Sequence, residues 1–247
     1  MPFYVIAVLF GLLIGSFLNV CIYRVPLGKS IVYPPSSCTA CGASIKPYQN
    51  IPVISYIMLG GKCASCGDRI SPIYPAVEAL NALLYASALW RFGPSVKAVA
   101  VMAVLSVFIV VTFIDLRHRI IPNGITFPGV ALSLLVGPLA MGTPWTDSVF
   151  GVLLGGGLFY LIAVISRGGM GGGDIKLIAM VGGLVGWKLT LFTIVVASAL
   201  GAVVGVTMMA LGRAGRKTPV PFGPFLVMAA TLAIFCGENV VGWYVGQ

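Results

Sequence analysis

Apolar residues in this chain do not alternate with polar ones; they run in long uninterrupted stretches. A membrane-spanning helix needs about 20 mostly apolar residues. Residues 2–23 form the first such stretch. Residues 24–72 are then polar and rich in Pro, Gly and Cys, and seven further apolar stretches follow near 74–90, 96–114, 124–141, 148–166, 175–187, 189–211 and 224–246. The boundary between the sixth and seventh is set at Trp187–Lys188. The pattern predicts an all-α polytopic membrane protein with about eight transmembrane helices and a small module between helices 1 and 2. Its segments are 1–23 (first helix), 24–72 (module), 73–95 (second helix) and 96–247 (a six-helix membrane domain).

The first stretch opens without a positive n-region, and no small-residue cleavage site follows it. It reads as a retained helix and not a removed signal peptide. Composition agrees with a membrane protein. Hydrophobic residues make up 59% of the 247 and charged residues only 9%, against about 25% charged in soluble domains; mean hydropathy is +1.04.

Charge then orients the spans. An even count puts both termini on one side. One set of loops carries Arg24, Lys29, Lys46, Lys62, Arg69, Arg117, Arg119, Arg167, Lys176, Arg213, Arg216 and Lys217, and the other only Arg91, Lys97 and Lys188. Basic residues gather in cytoplasmic loops, so the module is expected in the cytoplasm and both termini on the periplasmic or outer side. The net charge of +9 is absorbed by this rule. No basic run exceeds Arg213–Lys217, so no nucleic-acid partner is expected.

The module holds Cys38-Thr-Ala-Cys41 and Cys63-Ala-Ser-Cys66, separated by 21 residues. Two Cys-x-x-Cys knuckles at this spacing read as a zinc site, because a tight turn aims both thiolates of a pair at one tetrahedral ion. Gly42 and Gly67, each after a second cysteine, are expected to take positive φ. Four thiolates leave no position for water, so the zinc is structural. The rival reading is two disulfides, which a reducing cytoplasm disfavours. Cys21 and Cys236 lie in apolar stretches as small buried hydrophobes. The Gly151-x3-Gly155, Gly182-x3-Gly186 and Gly201-x3-Gly205 patterns are assigned to close helix packing.

Only six acidic residues serve the chain: Asp68, Glu78, Asp115, Asp147, Asp174 and Glu238. A carboxylate at membrane depth is costly and functional by default. Asp115 ends the third span, where it opposes the helix dipole, although a pairing with Arg117 or Arg119 would account for it. Asp174 precedes the sixth span, where Asp is a favoured N-cap, yet the glycines before it exceed what a cap requires. The topology puts both at cytoplasmic helix ends, so they are expected to meet as a catalytic pair. Glu78, just inside the second span, is either a first-turn helix acid or a contact for a bound cofactor or substrate. His118 is the only histidine and reads as a solvated loop residue.

Phe113-Ile-Asp115-Leu-Arg-His-Arg-Ile-Ile-Pro122-Asn123 and Gly171-Gly-Gly-Asp174-Ile-Lys176 resemble the two aspartate motifs of bacterial type IV prepilin peptidases, the second being the Gly-x-Gly-Asp signature shared with presenilin-type proteases. Gly15-Ser-Phe-Leu-Asn19-Val-Cys-Ile-Tyr-Arg24, the cysteine knuckles with Asn50-Ile-Pro52-Val-Ile-Ser-Tyr56, and Ser71-Pro-Ile-Tyr-Pro75-Ala-Val-Glu78 resemble the rest of that family in order. Thr39 departs from the proline that many relatives carry, and removes no ligand.

The resemblance implies a membrane aspartyl peptidase of the bacterial inner membrane. Such an enzyme cuts the basic leader from type IV prepilins or type II secretion pseudopilins, working beside the pilus or secretion assembly machinery. It then N-methylates the new terminus with S-adenosylmethionine. Asp115 and Asp174 would be catalytic, and Glu78 would meet the methyl donor or the new amine. Two nearby carboxylates do not both ionise easily, so they share a proton: one activates water, the other polarises the carbonyl. The alternatives are a peptidase without methyl transfer, a proton or cation transporter using the two aspartates, and an assembly scaffold.

Overall fold

The structure is a computed structural model that describes residues 2–167, 169–212 and 220–245. Among these every extended element is helical: α1 (Pro2–Arg24), the short α2 (Ile54–Met58), α3 (Ile73–Phe92), α4 (Val96–His118), α5 (Asn123–Val136), α6 (Trp145–Ile165), α7 (Gly172–Ala210) and α8 (Gly223–Val245). A π-helical turn, Gly137–Met141, continues α5. Five helical stretches are long and apolar enough to cross a membrane: Pro2–Leu27, Val96–His118, Asn123–Met141, Trp145–Ile165 and Gly172–Ala210. They make this a multi-pass membrane protein. Arg213, Arg216 and Lys217, counted among the basic loop residues, lie outside the described residues.

The predicted sixth and seventh spans appear as one run, α7, of 39 residues. At about 1.5 Å per residue this is nearly twice a bilayer core of about 30 Å. The run breaks at Gly186, whose φ of 78° and ψ of 170° are not helical, one residue before the boundary expected at Trp187–Lys188. The lysine marks the polar point, but only the glycine adopts positive φ without strain. A broken helix in a membrane needs other donors for its freed carbonyls. Ser148 supplies one to Gly183 O and Thr143 another to Leu184 O, the latter at 2.8 Å.

The chain divides into two compact units, Met1–Phe113 and Ile114–Gln247. In the first, α1 packs on α3 through glycines. A Cβ on Gly11 would lie 2.7 Å from Ala82 Cα, and one on Gly15 2.6 Å from Glu78 Cα. This small-xxx-small pair escaped the sequence reading although it has the same spacing as those assigned. Where backbones approach this closely, buried amides act as glue: Asn81 Nδ2 donates to Gly11 O at 2.8 Å, Asn19 Nδ2 to Tyr74 O at 3.0 Å, and Ser106 Oγ on α4 to Asn81 Oδ1 at 3.0 Å.

In the second unit α6 packs on α7 along Gly151, Gly155, Gly182 and Gly186, as the small-residue patterns predicted. A Cβ on Gly155 would lie 2.9 Å from Ile178 O, and a Cβ on Gly182 would enter the Gly151 backbone. Gly201 meets the rings of Phe222 and Phe225, whereas Gly205 faces open space. Cys21 is half-buried and Cys236 is exposed. Helix surfaces in a bilayer are covered by lipid, so an apolar residue there needs no protein burial.

Candidate active site and cysteine cluster

Asp115 lies in the last turn of α4 and is buried, with 5% of its surface exposed, whereas Arg117, His118 and Arg119 after it are exposed. Its Oδ2 instead accepts a hydrogen bond from the Gly223 backbone N–H at 3.0 Å. Gly223 opens α8, where a helix has unpaired N–H groups and a partial positive charge. A carboxylate that opposes the dipole of its own helix is thereby satisfied by the start of another.

Asp174 sits in the first turn of α7. Its backbone N–H bonds to Gly171 O at 3.1 Å, and a Cβ on Gly171 would lie 3.0 Å from Asp174 Oδ2. The glycine run thus lets the carboxylate fold back over its own backbone. Asp174 Oδ1 is buried and has no hydrogen-bond partner among the described residues. The Asp115 and Asp174 carboxylates interact electrostatically.

Ile121 lies beside a glycine next to each of them. A Cβ on Gly173 would lie 2.7 Å from Ile121 Cβ, and one on Gly223 3.2 Å from Ile121 Cδ1. One buried isoleucine therefore touches the glycine before Asp174 and the glycine that holds Asp115. A second link joins the motifs: Lys176 Nζ donates to Asn123 Oδ1 and lies 4.8 Å from the Phe127 ring centroid. Gly223, Ile121 and the Asn123–Lys176 link were missed in the sequence. The Pro and Gly of Pro221-Phe-Gly223-Pro224, just before an apolar run, were the available signal.

Glu78 and the four cysteines belong to the other unit. Glu78 is buried on α3, with 7% of its surface exposed, and Oε2 accepts from Val53 N–H at 2.7 Å. Cys38, Cys41, Cys63 and Cys66 converge so that all four sulfurs lie within 4.8 Å of one another, those of Cys38 and Cys66 at 3.9 Å. Zinc–sulfur bonds of about 2.3 Å in a tetrahedron put sulfurs about 3.8 Å apart, so the cluster can bind a metal of that kind. All four are free thiols.

The two knuckles are built alike. Gly42 N–H bonds to Cys38 O and Gly67 N–H to Cys63 O, both at 2.9 Å, and both glycines have φ of 73°, as the sequence predicted. The Cys66 and then the Ser65 N–H hold the Cys63 thiol down to about 6. At Cys66 the Asp68 N–H favours the thiolate, but the crowding sulfurs of Cys41, Cys63 and Cys38 prevail and push it up to about 12. Four clustered sulfurs do not all ionise without a cation among them.

Helices suited to a bilayer, two aspartates at helix ends and a four-cysteine cluster that can bind a metal mark a polytopic membrane protein. Residues 9–92 match the model of the bacterial peptidase A24 N-terminal domain, and residues 102–206 that of the type IV leader peptidase family. Three similar proteins all carry the name prepilin leader peptidase/N-methyltransferase. That of Pseudomonas aeruginosa is 35% identical over 99% of this chain and 94% of its own length; that of Bacillus subtilis is 36% identical over 96% of each; that of Myxococcus xanthus is 41% identical over 84% of this chain and 64% of its own length. No solved structure matches. The chain belongs to the type IV leader peptidase family.

Proposed function

We propose that this protein is a membrane aspartyl peptidase that removes the basic leader from prepilins or pseudopilins and then N-methylates the exposed terminus with S-adenosylmethionine. The observation that carries the reading is the pair of carboxylates at helix ends, Asp115 buried and Asp174 half-buried with its Oδ1 enclosed. The charge of Asp115 bears on Asp174, and Ile121 lies beside Gly173, which precedes Asp174, and Gly223, which holds Asp115. The ionised partner takes a proton from water, which attacks the scissile carbonyl, while the protonated partner polarises that carbonyl. Asp115 is held by the Gly223 N–H, and Asp174 Oδ1 is left for water or substrate. The names of the relatives supply the substrate and the second activity.

The remaining parts of the reading follow the charge pattern and the family. The chain crosses the bacterial inner membrane eight times, with its termini outside. The module of residues 24–72 and both aspartates face the cytoplasm, where a basic leader stays by the same positive-inside rule. Segments 1–23, 24–72, 73–95 and 96–247 are first helix, zinc module, second helix and peptidase domain. Cys38, Cys41, Cys63 and Cys66 hold one structural zinc, and Glu78 serves methyl transfer. Pilus or secretion machinery receives the product. Nothing favours a transporter.

The test is purified protein incubated with a pilin precursor, with and without S-adenosylmethionine, and read by mass spectrometry. Loss of the leader, followed by the gain of one methylene only when the donor is present, is the expected result. An uncut precursor would remove the peptidase reading.

A further inference from the structure

Val53 adopts φ of 61° and ψ of −48°. For a β-branched residue this is an outlier. It sits at the centre of a tight turn in which Ile54 N–H reaches Pro52 O at 2.6 Å, the rare and strained γ-turn of positive φ. Such strain persists only where the surroundings hold it, and it gathers at functional sites.

The holder is visible. Glu78 Oε2 accepts the Val53 N–H at 2.7 Å. Ser55 ties the same turn from the other side, accepting from Ile51 N–H and donating to Tyr48 O, both at 3.0 Å. The turn forms one wall of a cleft of about 280 Å³ that Ser16, Arg24, Asn50 and Pro52 help to line. Glu78 is buried and holds this wall through the Val53 N–H.

We infer that Glu78 is a positioning residue for methyl transfer: its carboxylate locks Val53 in the strained γ-turn, and the turn sets Asn50 and Pro52 at the cleft. This rests on the methyl-transfer reading above and deepens it. Glu78 then acts through the backbone of Val53, and its negative charge touches neither the methyl donor nor the substrate amine.

The discriminating experiment uses the full-length chain, a pre-cut mature pilin peptide and S-adenosylmethionine, with leader cleavage measured on the same preparations. Glu78→Gln keeps an oxygen acceptor for the Val53 N–H and is expected to methylate within about threefold of wild type, since the bond is conserved. Glu78→Ala releases the turn, and kcat for methylation is expected to fall by about 100-fold, the scale of a 1 Å misplacement. Glycine adopts this φ without strain. Adding Val53→Gly to Glu78→Ala is therefore expected to restore at least about a tenth of wild-type methylation.

If Glu78→Gln fails as badly as Glu78→Ala and Val53→Gly rescues nothing, the charge acts directly and the proposal is overturned. Full methylation by Glu78→Ala overturns it as well. Should Glu78→Ala also stop cleaving, Glu78→Gln alone decides, active supporting the proposal and inactive overturning it. A wild-type preparation that cleaves but never methylates removes the methyl-transfer reading itself, and the proposal with it.

Discussion

The Gly223 backbone N–H donates to Asp115 Oδ2 at 3.0 Å across 108 positions of sequence. Only glycine leaves room there, for a Cβ at 223 would lie 2.6 Å from that same oxygen. Gly223→Ala is therefore expected to displace the carboxylate while leaving α8 intact, since alanine is a good helix former. Steady-state cleavage of a prepilin peptide is expected to show kcat reduced by about 100-fold with KM little changed. Gly205→Ala, where a side chain meets open space, is the control and is expected to cleave like wild type. An unimpaired Gly223→Ala enzyme would remove Gly223 from the site.

The α6–α7 seam makes a different prediction. A Cβ on Gly182 would enter the Gly151 backbone and lie 2.9 Å from Val152 N, and backbone yields less readily than a side chain. Overpacking of this kind costs about 1–3 kcal/mol, which for a domain of this size lowers the melting midpoint by roughly 2–10 °C. Gly182→Ala is expected to show that drop in thermal unfolding in detergent, with cleavage preserved at low temperature. An unchanged midpoint would mean that the helices separate freely.

The cysteine cluster is expected to hold one zinc per chain by elemental analysis. With Cys63 held down to about 6 and Cys66 pushed up to about 12, Cys63 is already a thiolate at pH 7 and Cys66 is not. Metal must therefore displace a proton from Cys66, and apparent affinity rises with pH by at least about tenfold per unit for each proton released. Below about 6 Cys63 also takes up its proton and the dependence steepens. Competition with a chelator between pH 5.5 and 8 measures the slope. A flat profile, or two disulfides in place of the metal, would contradict the assignment. Cys66→Ser is expected to lose the metal and make residues 24–72 sensitive to protease.

What the sequence made legible follows from where each signal resides. Helices were legible because each span is a continuous apolar run, and their packing seams because Gly-x3-Gly has a fixed spacing. The break in α7 was placed one residue late because Lys188 announces polarity while the backbone bends at Gly186. The aspartates stood out since a carboxylate amid apolar residues demands a reason, and the cysteines because four ligands at knuckle spacing leave few other readings. Gly223 was marked only as part of a Pro and Gly turn, because what it contributes is a backbone N–H and a missing side chain. Val53 was silent, as nothing in a valine announces positive φ. Ile121 and the Asn123–Lys176 contact depend on tertiary proximity, which no single-sequence periodicity encodes.

The aspartyl mechanism itself is tested most directly by Asp115→Asn and Asp174→Asn, purified singly and given an intact prepilin. Asparagine keeps the size of each side chain and removes the proton that the pair shares. Each variant is expected to lose at least about 1,000-fold in leader cleavage, the scale of loss when one member of a catalytic unit is removed. Each is also expected to go on methylating a pre-cut pilin peptide, which shows that the chain is folded. Substantial leader release by either variant, read by mass spectrometry, would contradict the account.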